Sequence, residues 1–79
     1  MISDADKSSL KVGLKQVKKS LAAGKASKVF IAEDCDMYLR ESLEKLCNEA
    51  SITPVYVSTM AELGRECGIN VKASCACVC

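Results

Sequence analysis

Four consecutive apolar residues, Val29-Phe30-Ile31-Ala32, precede a segment in which apolar side chains return at helical spacing. The run is short, partly β-branched and without a polar position, which reads as a buried strand. After the polar turn Glu33-Asp34-Cys35-Asp36, residues Leu39, Leu43, Leu46, Cys47 and Ala50 fall at i, i+4, i+7, i+8 and i+11. That pattern predicts a helix with Arg40, Glu41, Glu44, Lys45 and Glu49 in solvent and Asp36 as its N-cap. The order repeats. Pro54 ends a loop, Val55-Tyr56-Val57 reads as a second buried strand, and Thr59-Met60-Ala61-Glu62 matches a capping box. A helix through about Cys67, stopped by Gly68, and a final strand from Val71 to Cys79 complete this half.

Upstream, residues 4–8 predict a short first helix, and Leu10-Lys11-Val12 alternates up to Gly13 as a short strand would. Leu14, Val17, Leu21 and Ala22 then recur at helical spacing until Gly24, with Lys18, Lys19 and Lys25 near that end complementing the helix dipole. Strands alternating with helices indicate an α/β sandwich with helices on both faces of one sheet. With 79 residues, the chain is expected to form one domain, residues 1–79, with a small core.

The near-neutral net charge of +1 hides an asymmetry. Residues 1–28 carry seven lysines against Asp4 and Asp6, a balance of +5; residues 29–79 balance at −4. A basic lobe on an acidic body attracts a polyanion to one surface, which points to nucleic acid or phosphate. No apolar run approaches the ~20 residues that cross a bilayer, and the start Met1-Ile2-Ser3-Asp4 is acidic where a signal peptide is basic. The expectation is a cytoplasmic protein without a membrane partner.

Six cysteines in this context are expected to be free thiols packed as small hydrophobes. The absence of histidine removes the usual general base and the commonest neutral metal ligand, so a non-enzymatic protein without metal or cofactor is expected.

Four segments are candidates for a site. In the first, Gly13 opens a helix on which Lys15, Gln16 and Lys19 share a face. Free N–H groups at the helix start suit a phosphate, and a Gln amide can read base edges. A solvated lysine face of an ordinary helix is the plainer reading. In the second, Gly68-Ile69-Asn70-Val71-Lys72, two apolar residues occupy a loop; they either meet a partner or plug the end of the core. In the third, Cys75-Ala76-Cys77-Val78-Cys79, same-face thiols of a strand stand two rises of ~3.3 Å apart. That is too far for a shared zinc, which needs two thiolates somewhat under ~4 Å apart. Core packing is the simpler account, with redox sensing at Cys79 as the alternative. In the fourth, Glu33-Asp34-Cys35-Asp36, magnesium is one reading, and capping and turn formation by Asp34 and Asp36 the simpler one.

Taken together, Gly13-Leu14-Lys15-Gln16 with Lys19, Lys28 to Asp34, Val55-Tyr56-Val57, Glu62-Leu63-Gly64 and Cys67 to Val71 have an order and spacing with a precedent. The chain resembles the kink-turn RNA-binding ribosomal protein family of the L7Ae, L30e, S12e and Gadd type, its short bacterial members above all, from Gly13 to Val78. The resemblance implies a three-layer α/β/α sandwich with a mixed central sheet of about four strands. It also implies binding of kink-turns, bent RNA helices with tandem G·A pairs beside a three-nucleotide bulge, in a ribosomal RNA setting. On that match the Gly13 helix enters the major groove, Lys15 and Gln16 contact base edges and Lys19 a phosphate. Ile69, Asn70 and Val71, with Lys72 beside them, cover the bulge, where unstacked bases are accessible. The chain departs from the family at Leu14, where a small hydroxyl residue is common, at Ala23, where an arginine supports the RNA, and at Asn70, where an acid is usual. The expected state is a monomer. The alternative is a protein-interaction or ribosomal scaffold module that turns the apolar loop 69–71 to protein, without kink-turn specificity.

Overall fold

The apolar run forms β2 (Lys28–Ala32), in which every residue after Lys28 is buried. The computed structural model describes residues 4–79, with side chains from Asp6 onward. Around β2 the chain order is α1 (Asp4–Lys7), β1 (Leu10–Val12), α2 (Leu14–Ala22), β2, α3 (Met37–Glu49), β3 (Val55–Val57), α4 (Met60–Glu66) and β4 (Cys75–Val78). The strands form one mixed sheet in the order β1-β4-β2-β3. β2 and β3 are parallel, whereas β4 runs antiparallel to both of its neighbours.

Register explains why β2 and β4 lack an alternating pattern. Val29 pairs with Cys77 and Ile31 with Cys75, so these four side chains share one face of the sheet. Phe30 and Ala76 project from the other. Helices α2 and α3 pack against each other and on one side of the sheet, while α4 packs on β2 and β3 from the opposite side. Both faces of the two central strands are therefore covered, and the core joins Val17, Leu21, Ile31, Leu43 and Cys47 with Phe30, Ala32, Val57 and Leu63. The three-layer sandwich with a four-stranded mixed sheet is the architecture the resemblance implies.

Each main helix closes in the same way. At the end of α4, Gly68 N donates to Arg65 O and Ile69 N to Gly64 O, the paired bonds of a Schellman motif, with Gly68 at φ 77°. Gly24 N to Leu21 O and Lys25 N to Ser20 O close α2 identically. Ser51 N to Asn48 O and Ile52 N to Cys47 O close α3, with Ser51 in the left-handed region at φ 59°.

One predicted element begins late. The final strand starts at Cys75, not at Val71. Residues 71–74 instead run along α4 toward its start: Ala73 N donates to Met60 O, and Val71 is 69% exposed. A strand cannot start while its backbone is bonded to a helix on the face of the sheet. None of the helices among the described residues is long and apolar enough to cross a membrane.

Candidate nucleic-acid interface

The sheet topology brings the N-termini of α2, α3 and α4 and the start of β4 to one edge. A run of bonds stitches that edge together. Gly13 N donates to Cys75 O at 3.0 Å, Ala32 N to Ser74 O at 3.0 Å, and Glu33 N to Val57 O at 2.7 Å. Asp34 Oδ1 accepts from Met60 N at 2.7 Å. Through the first of these bonds the glycine that opens α2 is held against the end of the 68–74 loop. The start of α2 and the entry of the loop into β4 are thus neighbours, although more than sixty residues separate Gly13 from Cys75.

On α2, Val17, Ser20 and Leu21 face the core, leaving Lys15, Gln16 and Lys19 exposed. Among the described residues no carboxylate forms an ion pair with these lysines or with Lys18. Gly13, at φ 103° and ψ 155°, lies in a region that glycine alone adopts freely, and no side chain caps the helix it opens. The other helix starts at this edge are capped. Asp36 accepts from Tyr38 N at 2.8 Å to cap α3, and Thr59 Oγ1 accepts from Glu62 N at 3.0 Å to cap α4. Asp34 and Asp36 are therefore engaged as caps, the simpler of the two readings. Among the described residues no group of three or more His, Cys, Asp or Glu side chains is placed to hold a metal ion.

In the second segment Ile69 is half-buried against the core, while Asn70, Val71 and Lys72 are exposed. The loop divides the two roles suggested for its apolar residues, Ile69 sealing the core and Val71 standing in solvent. Its seat is Gly64, a buried glycine within α4. A Cβ there would collide with the Val71 carbonyl oxygen and lie 3.3 Å from Lys72 Cα. Arg65 shares a shallow cleft with Ile69, Asn70, Val71 and Lys72, adding a cation to this half of the edge. Spacing alone does not single out Gly64, Arg65 or the Asp34 cap. An isolated glycine inside an amphipathic helix is nevertheless a signal of close backbone approach.

The departures from the family pattern have distinct placements. Leu14 turns partly into the core, Ala23 is exposed as the C-cap of α2, and Asn70 is exposed in the loop. The basic lobe is also divided: Lys28 begins β2 at the opposite edge and pairs with Asp6 at 3.0 Å. Lys15, Lys18 and Lys19 of α2 carry what remains near the site.

The six cysteines are free thiols. Burial pushes Cys35, Cys47, Cys67 and Cys75 upward from the ordinary thiol range, and Cys77 is pushed up to about 11, again chiefly by burial. Neutral buried thiols are poor nucleophiles and poor metal ligands. Cys79 is exposed, with its Sγ 3.3 Å from Ser20 Oγ.

A mixed sheet between helix layers, with an uncapped lysine-bearing helix beside an apolar loop, matches a known class. Residues 2–79 match the ribosomal protein L7Ae/L30e/S12e/Gadd45 family, and the chain belongs to that family. Among its relatives, the RNA-binding protein TTE2299 of Caldanaerobacter subterraneus subsp. tengcongensis is 42% identical over 65 residues, covering 82% of this chain and 79% of the relative. The RNA-binding protein YbxF of Geobacillus stearothermophilus is 34% identical over 67 residues, covering 85% and 82%. The solved structure of a Giardia lamblia 15.5kD RNA binding protein superposes with a TM-score of 0.83 at 28% identity over 90% of this chain. The chain spans 60% of that longer protein.

Proposed function

We propose that this protein is a non-enzymatic RNA-binding module that recognises kink-turn or kink-turn-like RNA, in the cytoplasm and in association with ribosomal RNA. The observation that carries the reading is the Gly13 N–H to Cys75 carbonyl bond, which ties the uncapped start of α2 to the first residue of β4, where the 68–74 loop ends. A bent RNA needs both halves. Lys15 and Gln16 reach base edges in the groove of the G·A stem, and Lys19 meets a phosphate. Asn70 and Val71, held by Ile69, cover the bulged nucleotides, and Lys72 supplies charge beside them. The relatives above, each named an RNA-binding protein, favour RNA as the partner. The protein acts as a monomer in this scheme, since one chain carries both contacts.

Titration of a kink-turn RNA against an unbent duplex of equal length tests the proposal. The bent RNA is expected to bind tighter by roughly tenfold or more, equivalent to about 1.4 kcal/mol. Equal, weak binding to both would leave only charge attraction and would overturn the structural recognition. Binding to neither, with a protein partner retained after RNase treatment and lost in Val71→Asp, would favour the scaffold role of the loop.

A further inference from the structure

The largest exposed aromatic surface of the molecule lies beside α2 and is not used in the scheme above. Tyr38, in the first turn of α3, is 86% exposed. It faces Leu14 and Lys18 of α2 across a groove of about 330 Å³ that Asp36, Leu39 and Ser42 also line. Lys18 stands three residues after Lys15 on the exposed side of α2, so one wall of the groove adjoins the face proposed to meet RNA. The second tyrosine shows what an engaged ring looks like in this fold. Tyr56 donates its hydroxyl hydrogen to Glu44, and the Arg40 guanidinium lies 5.2 Å from its ring centroid. Tyr38 has no such contact among the described residues.

We infer that Tyr38 and Lys18 form a third RNA contact, a platform on which an unpaired nucleobase stacks while the lysine meets its phosphate. The inference rests on the RNA reading and extends it to a surface outside the two-part grip. An aromatic face takes any base because every base presents a π-surface, and a neighbouring cation adds attraction for the backbone. The Asp36 carboxylate beside the ring keeps its charge, but its Oδ1 is turned to the backbone N–H of Tyr38 as the α3 cap and Lys18 lies in the same groove to offset it. Glu41 lies on the other side of Tyr38, where it shares a surface hollow with Met37. The basic wall of the groove is α2 itself, with Lys18 in the groove and Lys15 and Lys19 exposed on the same helix, and this favours RNA over a cationic protein segment as the occupant.

The protein has no tryptophan and two tyrosines, so a Tyr56→Phe variant leaves Tyr38 as the sole strong fluorophore. The probe is a kink-turn RNA with single-stranded extensions on both ends of its G·A stem. Saturation is established separately by electrophoretic shift. The expected result is loss of more than about half of the tyrosine emission at saturation, as a stacked ring is quenched. In the wild-type background Tyr38→Ala should weaken binding roughly five- to hundredfold, the loss of one base–aromatic stack, and Tyr38→Phe should restore it. A saturated complex with unchanged emission and unchanged Tyr38→Ala affinity overturns the platform and leaves the RNA reading intact. Absence of any shift defeats the RNA reading first. Unaltered RNA affinity in Tyr38→Ala, combined with loss of an RNase-resistant protein partner, overturns the platform in favour of a protein surface.

Discussion

Helices α2 and α4 start at the same edge of the sheet, yet their opening turns are built in opposite ways. The α4 start is satisfied twice from within the fold, by Thr59 on Glu62 N and by Asp34 on Met60 N. The α2 start carries a glycine, no side-chain cap and exposed Lys15 and Gln16. A glycine N-cap in place of a capping side chain forgoes only about a few tenths of a kcal/mol. The contrast teaches that α4 is a support, fixing the loop that crosses it, whereas α2 leaves its donors to solvent or to a ligand. Changes in α4 should therefore register as stability, and changes in α2 as affinity.

The most disruptive test of the support is Gly64→Ala. The new methyl would meet the Val71 carbonyl, so the loop must lift from α4. Overpacking of this kind costs about 1–3 kcal/mol. In a domain of this size each kcal/mol lowers Tm by about 4–8 °C, readable by calorimetry. An unchanged Tm would show that the loop is not seated on the helix. Removing the long-range cap is the next step down. Asp34→Ala should cost about 1 kcal/mol in urea unfolding while the salt dependence of RNA binding stays as in the wild type. A variant of full stability would remove Asp34 from the support. The smallest effect belongs to α2: Lys19→Ala should leave stability within about 0.5 kcal/mol. It should flatten the slope of log affinity against log salt by roughly 0.7–0.9, one phosphate contact. A stability loss larger than the affinity loss would erase the distinction between the two helices.

The parts of this molecule legible before folding are those encoded within a few residues. Val29-Phe30-Ile31-Ala32 reads as a doubly covered strand because no position in it tolerates water. Asp36 and Thr59 read as caps because each bonds a backbone N–H two or three residues on. Glycines 24 and 68 read as stops because they sit where Schellman turns need left-handed backbone. The rest depends on contacts across the chain. Asp34 caps a helix twenty-six residues away, a role that no local pattern distinguishes from an ordinary turn. Val71 looks like the start of a strand because it is β-branched and follows a loop, and only the crossing over Gly64 places it outside the ladder. The candidate site was legible as two separate segments; the Gly13–Cys75 bond, which ties the start of α2 to the strand that follows the loop, depends on the sheet order.

That sheet order has a consequence for how the protein comes into being. β4 lies between β1 and β2, pairing Leu10 with Val78 across nearly the whole chain. Until residues 75–78 have been made, β1 has no neighbour and Gly13 has no carbonyl to receive its N–H. Nascent β2 and β3 can pair in the meantime, but the edge that joins α2 to the loop cannot exist. Pairing over so long a span is slow, because the entropy of closing the loop is lost before any contact compensates it. The proposed competence to bind RNA should thus arise late and abruptly, once β4 is in place.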